Sequence, residues 1–260
     1  MGQSRRTVRC TFCGLIRPQA KEDVIPKWLA RELGGVAPFV AEARHFSGSD
    51  ELISRTERKV GSAAAYKLRG VCVTCNNGWM SELENAARAV LLPMVRGETV
   101  VLDATAQVLV ASWCAKTALT LDAWDRPRGV PEEVGTRLLE RQGVPPPGCR
   151  VLIGSIMPIP GGIGIPHARR ELPLADAAQL HPTSERFVVL TFGFGYFLFQ
   201  VWLFVGPVHR FIVVPPTVGL DMLWPYIDRP VTWPRAVLTP GAFLGIASVE
   251  DVQDVLVRVA

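Results

Sequence analysis

The chain has 260 residues, of which 48% are apolar and 20% are charged, so it can bury a full core in one or two domains and is no disordered or acidic tail. Its net charge of +4 is unevenly spread, because residues 1–70 carry 13 basic and 7 acidic side chains, whereas residues 71–260 carry 15 and 17. The first quarter is therefore the part suited to holding a polyanion. Six cysteines are too few for a disulfide scaffold.

The N-terminus, MGQSRRTVRCTFCG, has several arginines but no apolar stretch. A secretory signal requires such a stretch, so we expect a cytoplasmic protein. In the reducing cytoplasm, closely spaced thiols bind metal more often than they form disulfides.

Two Cys-x-x-Cys pairs are the most informative motif, and they consist of Cys10 with Cys13 and Cys72 with Cys75. A two-residue gap lets both sulfurs of a pair approach one ion at about 2.3 Å, and two pairs complete a closed tetrahedral site of the structural Zn²⁺ kind. The alternative is four buried cysteines without metal.

The second pair runs into NNGWMSELE, where apolar residues recur at helical spacing. A first knuckle on a hairpin and a second at a helix N-terminus would form the treble-clef arrangement. Cys114 and Cys149 stand alone in the sequence, and we predict that both are buried thiols.

Residues 21–29, KEDVIPKWL, follow the first cysteine pair. The pieces CTFC, EDVIP and CVTCNN, in this order, resemble the HNH endonuclease family in its four-Cys form. The resemblance covers about residues 9–85, a third of the chain. It implies a ββα-metal module in which one divalent ion is held against the scissile phosphate while a histidine activates water.

Carried over position by position, the resemblance implies that Glu22 and Asn76 are ligands of a catalytic Mg²⁺ or similar ion. Asp23 stands where the family has its general-base histidine. Because an aspartate has an ordinary pKa near 3.9, against about 6.5 for histidine, we expect Asp23 to act as a third oxygen ligand or a weak activator of water. His45 is either a substitute base or a surface residue.

Basic residues surround this motif in the sequence, and we predict that the nearest of them contact phosphates: Arg9, Arg17, Lys21 and Lys27. The alternative is an ordinary solvated basic face, since acidic residues are interspersed.

Residues 96–143 have a helical pattern, with one helix over 103–124 and a second over 131–142 that ends at Gly143. The VPPPG run at 144–148 predicts an extended linker. Residues 149–247 read as short strands, including HRFIVV, and a last helix is predicted from Ser248. We therefore predict an α+β fold with an HNH-like module (1–95), a helical connector (96–148) and a β-rich C-terminal domain (149–260).

Residues 187–208 contain no charged side chain and are long enough to span a bilayer. They are nevertheless rich in Val, Phe, Tyr and Trp, and Gly193 and Gly195 lie where a hairpin would turn. We predict a buried β-hairpin, with a transmembrane helix as the alternative.

The sequence supports three functional hypotheses. The first is an HNH-type metal-dependent endonuclease that hydrolyses phosphodiester bonds, preferably of DNA. The second is a catalytically degenerate, zinc-stabilised module that binds nucleic acid or another partner. The third is a structural protein in which the β-rich region is the functional part. The first two hypotheses differ in whether the protein can cut nucleic acid with Asp23 in place of the histidine.

Overall fold

The structure of the protein is a computed structural model that mixes helices and sheets, which confirms the predicted α+β class. It describes the following residues: 6–23, 25–34, 39–46, 52–60, 67–68, 70–124, 129–158, 167–173, 186–206, 219–225 and 228–239. The predicted helix from Ser248 and the predicted HRFIVV strand lie outside these ranges.

Five α-helices and one π-helical turn are described, and both helices predicted in the middle of the chain are present. The helix Ser81–Arg96 is followed by Gly97, whose φ of 82° is the left-handed conformation in which helices commonly stop. In chain order the helical elements are α1 (Lys27–Glu32), α2 (Val73–Cys75), the π-helical turn (Asn76–Met80), α3 (Ser81–Arg96), α4 (Ala104–Trp124) and α5 (Glu132–Glu140).

The strands fall into two groups along the chain. Those before α4 are β1 (Thr7–Arg9), β2 (Ile16–Pro18), β3 (Glu22–Asp23), β4 (Phe39–Phe46), β5 (Leu52–Val60), β6 (Lys67–Leu68) and β7 (Val100–Leu102). Those after α5 are β8 (Cys149–Ile156), β9 (His167–Pro173), β10 (Arg186–Phe194), β11 (Phe197–Val205), β12 (Asp221–Trp224), β13 (Val231–Trp233) and β14 (Val237–Leu238).

An eight-stranded sheet has the order β12-β8-β11-β10-β9-β4-β5, with β14 also paired to β8. Its neighbours are antiparallel except for β4 with β9 and β14 with β8. Three two-stranded sheets accompany it: β1 with β2, β3 with β6, and β7 with β13. The strand β7 lies in the segment 96–143 predicted to be helical, just before the predicted helix over 103–124, and the prediction is wrong for β7. The β-branched pair Val100 and Val101 favours a strand where it can pair with β13.

The uncharged stretch forms the predicted β-hairpin: β10 pairs with β11 in continuous antiparallel register, with Thr191 opposite Gln200. The turn falls at Gly195 and Tyr196, and the Tyr196 amide donates to the Val95 carbonyl oxygen at 3.0 Å. Gly195 is required there, because its φ is +58° and a Cβ atom would lie 2.4 Å from the same Val95 oxygen.

Across the described residues, no helix is both long and apolar enough to cross a membrane.

The helix α4 packs against this hairpin. Trp113 lies at the contact, with its ring centroid 6.0 Å from that of Phe194 and 5.9 Å from that of Phe199. Residues 110–123 of α4 are all buried, so this helix runs through the interior rather than along the surface. It is one of the elements that connect the large sheet with the cysteine-bearing part of the chain.

One cluster of buried residues contains members of all three predicted segments, for example Cys72, Trp113 and Phe199. In addition, β4 and β5, which come from between the two cysteine pairs, extend the sheet that β8 to β11 form. The three segments therefore pack in a shared core, and their boundaries as domains stay a prediction.

Candidate metal centre and adjoining cleft

The four predicted cysteines converge at one point. The sulfurs of Cys10, Cys13, Cys72 and Cys75 all lie within 4.8 Å of one another. The Cys13 and Cys72 sulfurs are 3.8 Å apart, which is about the edge of a tetrahedron with Zn–S bonds of 2.3 Å. These four cysteines can hold a metal ion such as zinc.

Local structure positions each pair as expected for two metal knuckles. Cys10 and Cys13 lie in the turn of the β1–β2 hairpin, whereas Cys72 is the N-cap of α2 and Cys75 is its last residue. Backbone amides point at the sulfurs: the Cys72 amide donates to Cys10 Sγ at 3.4 Å, and the Cys75 amide donates to Cys72 Sγ at 3.5 Å. A hairpin knuckle and a helix-start knuckle form the predicted treble-clef arrangement.

The crowding of the sulfurs has an electrostatic consequence. A hydrogen bond from Cys75 is the main reason that the pKa of Cys10 falls to about 4, and the same contact raises the pKa of Cys75. Burial and the neighbouring Cys10 raise the pKa of Cys13. These opposed shifts indicate that the four sulfurs, this close together, do not all ionise unless a cation balances their charge, and a bound divalent metal would supply it.

Two contacts connect the first knuckle with neighbouring parts of the chain. Thr11 donates from its backbone amide to the Gly70 oxygen at 2.9 Å, which joins the first knuckle to the segment before the second. The ring of Phe12 meets that of Trp79 edge-on at 5.1 Å, which joins the first knuckle to the π-helical turn.

The isolated cysteines are buried as predicted: Cys114 is 0% and Cys149 1% exposed, and burial raises both pKa values.

A cleft of about 360 Å³ opens beside this metal centre, between the loop and strand after the first knuckle, α1, and the helical segment after the second knuckle. Its walls carry basic, acidic and amide side chains together with one indole. The lining residues are Lys21, Asp23, Pro26, Lys27, Trp28, Arg31, Asn76, Asn77, Ser81, Glu84 and Arg88.

Four of the residues singled out from the sequence line this cleft: Asp23, Asn76, Lys21 and Lys27. Glu22 pairs through its backbone with Leu68, and its side chain lies outside the described part of the structure. Asp23 and Asn76 are 53 positions apart in the sequence, yet both reach one cavity.

The other two predicted nucleic-acid contacts do not line the cleft. The Arg9 guanidinium donates to the Gly14 carbonyl oxygen at 3.0 Å, and that of Arg17 donates to Thr74 Oγ1 at 3.3 Å. Both arginines lie on the β1–β2 hairpin, and each is tied to a protein group.

Two charged residues of the cleft, Glu84 and Arg88, were not predicted from the sequence, and Arg31 was predicted only as one of the basic residues around the motif. A signal was present, because Arg31 follows Lys27 by four positions in α1. Similarly, Asn77, Ser81, Glu84 and Arg88 recur at the spacing of one helix face.

Four cationic side chains line the cleft. Lys21, Lys27, Arg31 and Arg88 form no ion pair with any residue that the structure describes. The two acidic side chains on the wall are Asp23 and Glu84, so the wall has an excess of positive charge. A concave surface with unpaired cations attracts an anion, and phosphates are the anions that Lys and Arg bind best.

Glu84 has a partner behind the wall. Lys116 of α4, which is 1% exposed, places its Nζ 2.5 Å from Glu84 Oε1 and 5.8 Å from the centre of the Trp113 ring. The pair thus connects the interior helix with the surface of the cleft.

No protein-family model matches this chain, and neither a curated protein nor a solved structure gives a significant match to it.

Proposed function

We propose that the protein is an HNH-type metal-dependent endonuclease that hydrolyses phosphodiester bonds, preferably of DNA. The observation that carries this proposal is the cleft, in which Asp23 and Asn76 meet four cations that have no partner among the described residues. Basic side chains would hold the phosphate backbone, and the oxygens of Asp23 and Asn76 suit a hard divalent ion.

The donor set fits Mg²⁺, because carboxylate and amide oxygens are its usual protein ligands. Asp23 and Asn76 would hold the ion, with Glu22 as the further ligand implied by the family resemblance. When bound, such an ion neutralises phosphate charge and lowers the pKa of water. Lys21, Lys27 and Arg31 would orient the strand, and the cysteine-bound zinc would keep β3 and the π-helical turn together.

A catalytically degenerate binding module is the second candidate, and one observation favours it. Among the described residues that line the cleft there is no histidine, and Asp23 stands where the family has its general base. An aspartate near its ordinary pKa is a weak base at neutral pH. In that case the cleft would bind nucleic acid without cutting it.

Plasmid nicking distinguishes the two candidates. Supercoiled DNA is incubated with purified protein and Mg²⁺, and the nicked product is measured on gels for the parent chain, Asp23→Ala and Asn76→Ala. We expect nicking in the parent and its loss in both variants, whereas Glu82→Gln, an exposed change on α3 outside the cleft, keeps it.

A parent chain that binds DNA without cutting it, together with a gain of nicking in Asp23→His, would favour the binding module. If the protein neither binds nor cuts DNA at low salt, where phosphate contacts are strongest, both proposals fall and a structural role remains.

We also propose that the protein acts in the cytoplasm. All six cysteines are free thiols in the structure, and four of them form the metal centre, as suits a reducing compartment.

A further inference from the structure

One aromatic ring lines the cleft beside its charged side chains. Trp28 and the buried Pro26 are the two apolar residues among those that form the described wall. Trp28 is half-buried, and its indole nitrogen has neither accessible surface nor a hydrogen-bond partner among the described residues. The polar edge of the ring is thus turned away from solvent, and what the side chain exposes at the cleft is ring carbon.

The helix α1 holds this ring together with two of the cations. Leu29 and Ala30 of α1 are 0% and 2% exposed, so they anchor the helix in the core. Arg31 follows Lys27 by four positions and Trp28 by three, which places the three side chains on one side of the helix. Lys27 and Arg31 are exposed, so one short element presents two cations and an indole to the cleft.

This combination matches the chemistry of a single-stranded nucleic acid. Proteins that bind single strands combine a positively charged groove, which holds the phosphates, with an aromatic side chain on which a base stacks. Phosphate binding by itself requires cations such as Lys27 and Arg31 and no aromatic ring. The ring of Trp28 therefore indicates that a base enters the cleft together with its phosphates.

Base pairing restricts which nucleic acid can use this ring. In a duplex the bases are stacked on one another inside the helix, so an indole can stack only on a base that is unpaired or turned out. The cleft has a volume of about 360 Å³, near the lower end of the range of about 300–1,000 Å³ for small-molecule sites, so a duplex does not enter it. A single strand offers unpaired bases along its whole length, and negative supercoiling favours them locally in a plasmid.

We propose that the cleft binds a single-stranded nucleic acid, and that Trp28 is a specificity-determining residue whose indole stacks on one unpaired base while Lys27 and Arg31 hold the neighbouring phosphates. This inference rests on the proposed function only in that the cleft holds nucleic acid; it requires no cleavage.

Three labelled ligands of twenty nucleotides test the proposal: a single strand of mixed sequence, the same strand annealed to its complement, and a strand with the same backbone but no bases. Their affinities are compared by fluorescence anisotropy without added Mg²⁺, so that none of them is cut. The parent chain is expected to bind the single strand about tenfold more tightly than the abasic strand, the size of one stacking contact. The duplex should bind more weakly than the single strand, although its denser phosphates would favour it at a purely electrostatic site.

Trp28→Leu removes the ring and is the decisive variant. We expect its affinity for the single strand to fall about tenfold, while its affinity for the abasic strand stays that of the parent chain. A general loss of structure would weaken both strands, so the ratio separates stacking from folding. Trp28→Phe keeps an aromatic face and should retain most of the preference. Trp224→Leu makes the same change at a half-buried indole of β12 outside the cleft and should leave the preference intact.

A crosslinking measurement on the parent chain decides the matter if Trp28→Leu does not fold. The protein is bound to the single strand with 5-iodouracil in place of thymine, which on irradiation forms a bond to an aromatic side chain stacked against it. Mass spectrometry of the digested product should find the strand attached to Trp28. Attachment only at other residues, or none, would overturn the role of Trp28.

Equal binding of the single and abasic strands by the parent chain, binding of the duplex as tight as that of the single strand, or an unchanged preference in Trp28→Leu would overturn the single-strand assignment and leave the nucleic-acid function standing. Failure to bind any of the three ligands would overturn both.

Discussion

The backbone of Gly135 lies directly against the carbonyl oxygen of Thr11, so closely that a Cβ atom on Gly135 would be 2.1 Å from that oxygen. Gly135 belongs to α5, and Thr11 lies between the two cysteines of the first knuckle. A glycine within a helix ordinarily costs stability relative to alanine. Here it permits α5 to contact the metal centre.

Gly135→Ala is therefore expected to destabilise the protein although alanine is the better helix former. The added methyl group must displace α5 or the knuckle, and overpacking of this kind costs about 1–3 kcal/mol. Thermal unfolding of the metal-loaded protein measures the effect, with Thr136→Ala on the same helix as the control. An unchanged midpoint of thermal unfolding in Gly135→Ala would show that α5 does not contact the first knuckle closely.

The four converging cysteines predict about one zinc per chain in the purified protein. Cys72→Ser should lose the metal and unfold the N-terminal region, because a structural zinc site contributes binding energy to folding. Cys114→Ala, which removes a buried cysteine outside the cluster, should keep the metal. Elemental analysis and circular dichroism give the two readouts, and a stable, zinc-free parent chain would refute the site.

Burial of Cys149 predicts a particular pH dependence. Desolvation raises its pKa to about 12, so in the folded state the thiol stays protonated where an unfolded cysteine ionises. Its contribution to stability is complete below the unfolded pKa, about 8.5, and is lost as the pH rises toward 12.

Cys149→Ala should therefore lose less stability between pH 8 and 10 than the parent chain does. Urea unfolding at several pH values measures this difference. The Cys149 thiol of the folded parent should also resist alkylation at pH 8, and rapid labelling would contradict its burial.

The cations of the cleft that form no ion pair with a described residue predict salt-dependent binding of DNA. For a duplex, each phosphate contact contributes about 0.9 to the slope of log affinity against log salt. Arg31→Gln and Arg88→Gln should each weaken binding and lower that slope by about one contact. Arg141→Gln, an exposed arginine that does not line the cleft, is the matched control. Equal slopes for the parent chain and the three variants would show that DNA binds outside the cleft.

The Lys116–Glu84 pair predicts that substitutions of these two residues have non-additive effects on the free energy of unfolding. Glu84→Ala leaves a buried ammonium without its partner, which costs about 3 kcal/mol or more. Adding Lys116→Met removes that charge and should recover most of the loss, so the double variant is more stable than Glu84→Ala. Chemical denaturation measures the free energy of unfolding of the parent chain, the two single variants and the double variant. Additive effects would show that the two side chains do not interact.

Local patterns in the sequence were sufficient for the elements and for part of the site. The Cys-x-x-Cys spacing predicts a metal knuckle because both sulfurs lie within one turn of backbone, and periodicity predicts α4 and α5 because each residue's face depends on near neighbours. The Gly195 turn was predictable on the same grounds. The resemblance to the HNH motif supplied Asp23 and Asn76, which the fold then placed in one cleft.

Tertiary structure decided everything that depends on distant contacts. The parallel pairing of β4 with β9 joins the loop between the cysteine pairs to the large sheet, and no short-range pattern encodes such a partner. The contact of Gly135 with Thr11 and the pair of Lys116 with Glu84 arise from helix packing across many residues. By itself, then, the sequence determined which cysteines can hold a metal ion, because that chemistry belongs to residue type and local spacing. Packing decided which other side chains share a cleft, because that depends on how the buried faces fit.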